Sequence, residues 1–173
     1  MITNFAIIGK DCDKTIESIK QFDNIGSVSI LKDRTLLNKS LEKPCDYLVL
    51  CDAGDTFSEN YISVCSNLIQ TELIIGAVYT DLIVNRRICL PSFCRQRIVK
   101  YKAAYPINCF IKRELIPKDF FKTGFATELF LKFSHKFAMY HIAEPLVIKE
   151  KWDFENLNKE LLEEIYEHSH SDW

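Results

Sequence analysis

No stretch of this 173-residue sequence approaches the roughly 20 consecutive apolar residues that cross a bilayer, so no membrane-spanning helix is expected. The N-terminal run Met1-Ile-Thr-Asn-Phe-Ala-Ile-Ile-Gly9 lacks the basic lead and the small-residue cleavage site of a secretory signal, which makes the cytoplasm the expected location. A Cys-x-x-Cys pair is also missing. The seven cysteines are an odd number lying mostly inside apolar segments, a distribution that fits reduced thiols and not a disulfide framework or a zinc site. There is no internal repeat, no linker and no low-complexity tract. What is present is 47% hydrophobic residues, enough for a real core in a single domain. The expected organisation is one domain over 1–150 with an amphipathic helix over 151–173 docked on it.

The first half of the chain alternates strand and helix. Phe5 to Ile8 reads as a short strand, Lys14 to about Phe22 as a helix capped by Asp13, and Ser27 to Leu31 as the next strand. After an irregular polar segment from Lys32 to Pro44, Tyr47 to Leu50 reads as a buried strand. Ser58 then caps a helix whose Tyr61, Ile62, Cys65, Leu68 and Ile69 share one face. Leu73 to Tyr79 is a further buried strand, and Leu82 to Leu90 a hairpin broken at Asn85-Arg86-Arg87. Later come a strand at Cys109 to Lys112, a helix at Phe125 to Phe137, and short strands at Met139 to His141 and Leu146 to Lys149. Such alternation favours a mostly parallel sheet covered by helices. A terminal helix opening at Asp153 carries an apolar stripe of Phe154, Leu157, Leu161, Leu162 and Ile165, able to pack on its own core or on a second copy.

The most informative segment is Asp46-Tyr-Leu-Val-Leu-Cys-Asp52-Ala-Gly-Asp55, an apolar run ending in two carboxylates. A buried strand would deliver Asp52 and Asp55 to its C-terminal edge, where open α/β sheets place their ligands. Two acids held together call for a cation, which suggests a divalent metal carrying a phosphorylated substrate. The other reading is a turn in which Asp and Gly satisfy backbone geometry. Charge is unevenly spread as well. From Arg86 to Arg113 there are eight basic residues and no acid, leaving 14 basic against 24 acidic residues elsewhere. Phe93, Tyr101, Tyr105 and Phe110 interleave with those bases, a mixture suited to phosphate contact and stacking, or to a solvated loop. His168 and His170 could add a metal ligand or belong to a solvated tail; His135 and His141 read as surface or packing residues.

In order and spacing, most of the chain from Phe5 to Lys149 resembles the family 2 glycosyltransferases of the GT-A fold. The matching segments are Ser27-Val-Ser-Ile-Leu-Lys-Asp33, the stretch Leu37-Asn38 to Cys45, and Tyr47-Leu-Val-Leu-Cys-Asp52-Ala-Gly-Asp55. Further along they are Gly76-Ala-Val-Tyr79-Thr-Asp81, Phe110-Ile-Lys-Arg-Glu-Leu115, Thr127-Glu128 and His141-Ile-Ala-Glu-Pro145. The resemblance implies a mixed, mostly parallel Rossmann-like sheet flanked by helices, and inverting transfer of a sugar from a nucleotide donor, a UDP-sugar, to an acceptor hydroxyl.

By the same resemblance Mn²⁺ or Mg²⁺ is held by Asp52 and Asp55. The donor is lined by Ile8, Gly9, Lys10, Asp11, Asp33, Asn38, Asp52, Ala53 and Gly54, and Glu128 is the general base. Arg86, Arg87, Arg95, Arg97, Lys100 and Tyr101 are the expected acceptor contacts. The acceptor is a glycan or a polyanion such as DNA carrying hydroxymethylated bases; for a phage-encoded chain the location is the host cytoplasm. This chain departs from the family pattern at Gly54, where the usual metal-binding acid is missing, and at Thr127, where an acidic pair is reduced to Glu128 alone. Two other readings are a non-catalytic nucleic-acid-binding module on a degenerate transferase fold and a nucleotidyltransferase.

Overall fold

The computed structural model describes residues 1–94, 105, 107–122 and 126–150. Strand β1 (Thr3–Ile8) is buried along its whole length and pairs in parallel with β2 (Ile25–Leu31) on one side and β3 (Tyr47–Asp52) on the other. The apolar runs Phe5–Ile8 of β1 and Tyr47–Cys51 of β3 suit strands covered on both faces, where polar side chains are costly. The remaining strands are β4 (Thr56–Phe57), β5 (Ile75–Val84), β6 (Arg86–Ile88), β7 (Cys109–Lys112) and β8 (Ala138–Ile148). The sheet order is β2-β1-β3-β7-β5-β8-β4, with β6 on the free part of β5. β7 runs antiparallel to both β3 and β5, whereas β5 and β8 are parallel. The result is the mixed, mostly parallel sheet expected from the sequence.

Among the described residues three α-helices flank it: α1 (Asp13–Ile19), α2 (Tyr61–Thr71) and α3 (Ala126–Phe133). Tyr61, Cys65 and Ile69 of α2 are buried, and the Tyr61 ring meets Phe57 at 4.8 Å and Phe110 at 6.3 Å. From α3, Phe130 stacks on Tyr105 at 4.6 Å and meets Tyr79 edge-on at 5.3 Å. These rings anchor a helix and a loop to the sheet, each pair contributing about 0.5–1.5 kcal/mol beyond its buried area.

Several local features differ from the sequence reading. Asp13 is the first residue of α1 and not its cap. The Ser58 hydroxyl donates to Asn60 Oδ1 at 2.8 Å and leaves α2 without a side-chain cap. The segment read as irregular contains a 3-10 helix over Arg34–Leu41, capped by Asp33. The expected hairpin is present, reversing at Asn85 with φ +59°, a left-handed conformation that Asn tolerates. The two short strands expected after α3 are one strand, β8, whose pairing with β5 shifts on either side of Asp81, opposite Pro145. Proline cannot donate to the ladder, so the shift lets one strand continue past it. β4 had no signal of its own; its two residues form a strand only by pairing with Val147 and Ile148. The terminal helix and the boundary at 150/151 lie outside the described residues.

Candidate functional site

The C-terminal ends of β1, β2 and β3 finish level, with Ile8 opposite both Leu31 and Asp52. The Gly9 amide donates to the Leu31 carbonyl at 2.8 Å and the Ala53 amide to the Ile8 carbonyl at 2.8 Å, which ties the following loops together. Gly9 has φ +121°, and a Cβ there would lie 3.1 Å from that of Ala53, so this close approach depends on glycine. Ile8, Gly9, Lys10, Asp11, Asp33, Asp52, Ala53 and Gly54 therefore share one sheet edge. Asp33 is exposed and its Oδ1 accepts from the Thr35 amide at 2.9 Å. Asn38 does not join this group. Its side-chain amide donates to the Phe121 carbonyl at 2.8 Å and accepts from the Phe121 amide at 2.9 Å, clamping the loop before α3.

Asp52 and Asp55 do meet, and the cation between them is Lys149. Its Nζ donates to Asp52 Oδ2 at 2.9 Å, to Asp55 Oδ1 at 2.9 Å and Oδ2 at 2.8 Å, and to Asn108 Oδ1 at 2.8 Å. Asp55 is 2% exposed and Oδ2 also accepts from the Asp52 amide at 2.8 Å and from Asn108 Nδ2 at 2.6 Å. Its Oδ2 thus accepts three hydrogen bonds and its Oδ1 one, all from groups of the protein itself. Burial pushes the Asp55 carboxyl up, against the pull of Lys149 and Asn108, and the net shift is upward. Burial alone would lower the Lys149 ammonium, yet Asp55 and Asp52 outweigh it and its net shift is also upward. At Asp55 desolvation dominates; at Lys149 the two carboxylates dominate, which keeps the ammonium charged.

Asp52 differs from its neighbour. Its side chain is 32% exposed, and Oδ1 lies 3.6 Å from the Arg34 guanidinium. Gly54, buried and at φ +91°, donates its amide to Thr15 Oγ1 of α1 at 2.9 Å. Above it stands Glu150, whose carboxylate pairs with Lys14 of α1. Among the described residues no three His, Cys, Asp or Glu side chains form a ready metal cluster. A divalent ion that takes one or two carboxylates plus substrate phosphate oxygens and water needs no such cluster, and the edge at Asp52 fits that kind of site. Asp55, sealed by Lys149, does not face it.

Glu128 sits in the first turn of α3, as expected, but its carboxylate is inside the protein. It is 1% exposed, Oε1 accepts from the Lys122 amide at 2.7 Å, and it pairs with Lys132 at 2.8 Å, itself 2% exposed. Lys132 also donates to the Phe120 carbonyl at 2.6 Å, so the pair holds the 120–122 loop against α3. Of the basic residues expected to meet an acceptor, Arg86 is exposed. Arg87 is engaged: it donates to Asp81 Oδ2 at 2.8 Å and to the Ala143 carbonyl at 2.7 Å. Arg95, Arg97, Lys100 and Tyr101 lie outside the described residues.

Sequence reading missed Lys149, Asn108 and Asp81. Asp81 is 1% exposed and accepts from Arg87, from the Leu90 amide at 2.9 Å and from His141 Nε2, 2.7 Å away. Burial works to raise its carboxyl; those three partners outweigh it and hold it below the usual range. The one available signal for Lys149 was a lone lysine closing the apolar run Leu146-Val-Ile. Among the described residues no helix is long and apolar enough to cross a membrane.

No family model and no curated protein matches this sequence. Solved structures do match in shape. A fragment of TarS from S. aureus in complex with UDP superposes with a TM-score of 0.64 at 9% identity, over 98% of this chain and 70% of that one. In another structure of the TarS fragment the match has a TM-score of 0.62 and spans only 60% of its length. Glucosyl-3-phosphoglycerate synthase from Mycobacterium tuberculosis, in complex with Mn²⁺, UDP and glucosyl-3-phosphoglycerate, matches with a TM-score of 0.58 at 11% identity, over 97% of this chain and 77% of that one. A197 from STIV matches with a TM-score of 0.54 at 15% identity, over 91% of this chain and 98% of that one. At these identities the likeness establishes the fold: the chain has the GT-A, Rossmann-like architecture.

Proposed function

We propose that this chain transfers a sugar from a nucleoside diphosphate donor, a UDP-sugar, to an acceptor hydroxyl. The observation that carries this reading is the convergence of Gly9, Asp33 and Asp52 on one sheet edge of a GT-A fold. Structural neighbours solved with UDP, with UDP-GlcNAc, or with UDP and Mn²⁺ or Mg²⁺ support it. Fold alone does not fix a reaction, so the residues must carry the argument.

In this reading the exposed Asp33 accepts hydrogen bonds from the nucleoside, and the loop at Gly9, Lys10 and Asp11 walls the same pocket. Asp52 presents Oδ1 to the donor while Lys149 holds Oδ2. Bound Mn²⁺ or Mg²⁺ would neutralise charge on the departing diphosphate. Arg34, beside Asp52, lies at the same edge and adds a fixed positive charge. Glu128 is assigned as the base, with the acceptor hydroxyl replacing the Lys122 amide on its Oε1. Direct displacement with inversion needs a single base, and Glu128 is the one assigned. The basic stretch from Arg86 to Arg113 is the reason for expecting an anionic acceptor, and hydroxymethylated DNA and small phosphorylated hydroxy acids are the two to try.

Thermal shift with UDP, UDP-glucose and UDP-GlcNAc, each with and without Mn²⁺, is the direct test. A ligand at 100 times its Kd stabilises the folded state by about 2.7 kcal/mol, so donor binding gives a clear rise in Tm. Absence of stabilisation by any nucleoside diphosphate would sink the reading. Salt-sensitive DNA binding that survives loss of Asp52 and Glu128, without donor turnover, would favour the nucleic-acid-binding module instead.

A further inference from the structure

We infer that Glu150 supplies the carboxylate missing from the Asp52-Ala53-Gly54-Asp55 turn, and that Asp52 and Glu150 together form the divalent-cation end of the donor site. This rests on the glycosyltransferase reading. A Cβ placed on Gly54 would meet Glu150 first, with Oε2 at 3.3 Å, Cδ at 3.4 Å and Cγ at 3.6 Å. The Glu150 carboxylate thus lies directly against the point from which a side chain at position 54 would start. Asp55 does not take that part, because it is buried and both of its oxygens are held by Lys149, with Asn108 and the Asp52 amide also on Oδ2. Asp52 can share it, being partly exposed, with Lys149 on Oδ2 and the Arg34 guanidinium 3.6 Å from Oδ1 at the open side.

The chain reaches this arrangement through the two-residue alternation of extended backbone. The Lys149 amide donates to the Ile83 carbonyl at 2.9 Å, continuing the β8 ladder by one residue. Lys149 then points inward, 3% exposed, and Glu150 faces outward over the Gly54 turn. One ammonium locks the buried acid, and the next residue restores the absent one.

In the donor-free protein the charge on Glu150 is balanced by Lys14. Two carboxylates alone hold a divalent ion weakly against that competitor. Diphosphate oxygens add ligands and negative charge, so the cation is expected to bind together with the nucleotide, displacing Lys14. Gly54 in turn must stay small and at positive φ, since a larger residue there would push Glu150 away.

The test is Mn²⁺ binding to the full chain, followed by the EPR signal of free Mn²⁺, with and without UDP. The wild type should bind Mn²⁺ more tightly when UDP is present. Glu150→Gln should weaken that binding at least tenfold without weakening binding of UDP alone, since it removes a negative charge beside the diphosphate. Lys14→Ala should strengthen it. Adding Gly54→Asp to the Glu150→Gln chain should recover Mn²⁺ binding, whereas Gly54→Asn, with the same backbone strain, should not. Should the position-54 variants fail to fold, the opposite signs of Glu150→Gln and Lys14→Ala decide the matter on surface substitutions alone. Mn²⁺ binding in Glu150→Gln as tight as in the wild type would overturn the inference. So would equal weakening by Lys14→Ala, the signature of a merely structural ion pair. A chain that binds UDP but no Mn²⁺ overturns the inference and leaves the transferase reading standing; one that binds no UDP overturns both.

Discussion

Lys149 Nζ lies 2.8 Å from Asp55 Oδ2, and both side chains are almost wholly withdrawn from solvent, at 1% and 2% exposure. The pair joins the last strand of the sheet to the turn after β3, residues 94 apart in the chain. Removing one partner leaves the other as an uncompensated buried charge, and breaking such a pair typically costs about 3–5 kcal/mol. Lys149→Met should therefore lower the urea midpoint by far more than the double change Lys149→Met with Asp55→Leu. Equal loss in the two variants would show that the charge pair is not the cause.

The same lysine sets an alkaline limit. Its folded-state pKa is raised above the ordinary value of 10.5, so the folded protein binds this proton more tightly than the unfolded chain. The contribution is complete below 10.5 and is lost as pH rises through the folded value. Wild type should lose stability above about pH 10.5 more steeply than Lys149→Met, as read from urea midpoints at stepped pH.

Asp81 acts at the acid end. Its folded pKa lies below the ordinary 3.8, so it stabilises above that value and the contribution fades as pH falls through the lowered one. Asp81→Asn should flatten the acid limb of the stability profile and leave the alkaline limb unchanged. An unaltered acid limb would mean that Arg87 and His141 do not hold the carboxylate charged.

Glu128→Gln should cut turnover by about 10²-fold or more if Glu128 is the base, with UDP affinity retained. It also strands buried Lys132, so stability falls. Adding Lys132→Met should restore stability and not turnover. If the double variant transfers sugar normally, Glu128 is a structural residue and the base lies elsewhere.

Asp33→Ala removes the cap of the 3-10 helix at Arg34–Leu41, a loss of about 1 kcal/mol for a typical cap. If Asp33 also holds the nucleoside, Kd for UDP should rise in Asp33→Ser as well, which keeps a capping oxygen but not the carboxylate; if it acts only as the cap, Asp33→Ser should bind UDP like the wild type. Isothermal titration of both variants separates the two roles.

Much of this was legible because it is local. The apolar runs at Phe5–Ile8 and Tyr47–Leu50 and the stripe Tyr61-Cys65-Ile69 fix strands and helix through side-chain period alone. Asp33 and Asp52 follow from being the first acids after such runs. Caps were read less well, since Ser58 and Asp13 had the right type at the right spacing but found other partners. β4 was invisible because two residues make a strand only when β8 is already beside them.

The sequence by itself determined that two carboxylates would stand at the end of a buried strand, because burial of Tyr47 to Cys51 brings Asp52 to the boundary with water and puts Asp55 in the turn that follows. It could not determine what answers their charge. That was decided by the path of β8, which carries Lys149 across the sheet edge to Asp55 and Glu150 over Gly54. A buried carboxylate must find a counter-charge wherever the fold can bring one, and closure of β8 on β5 and β4 brought it from residues close in space and distant in sequence.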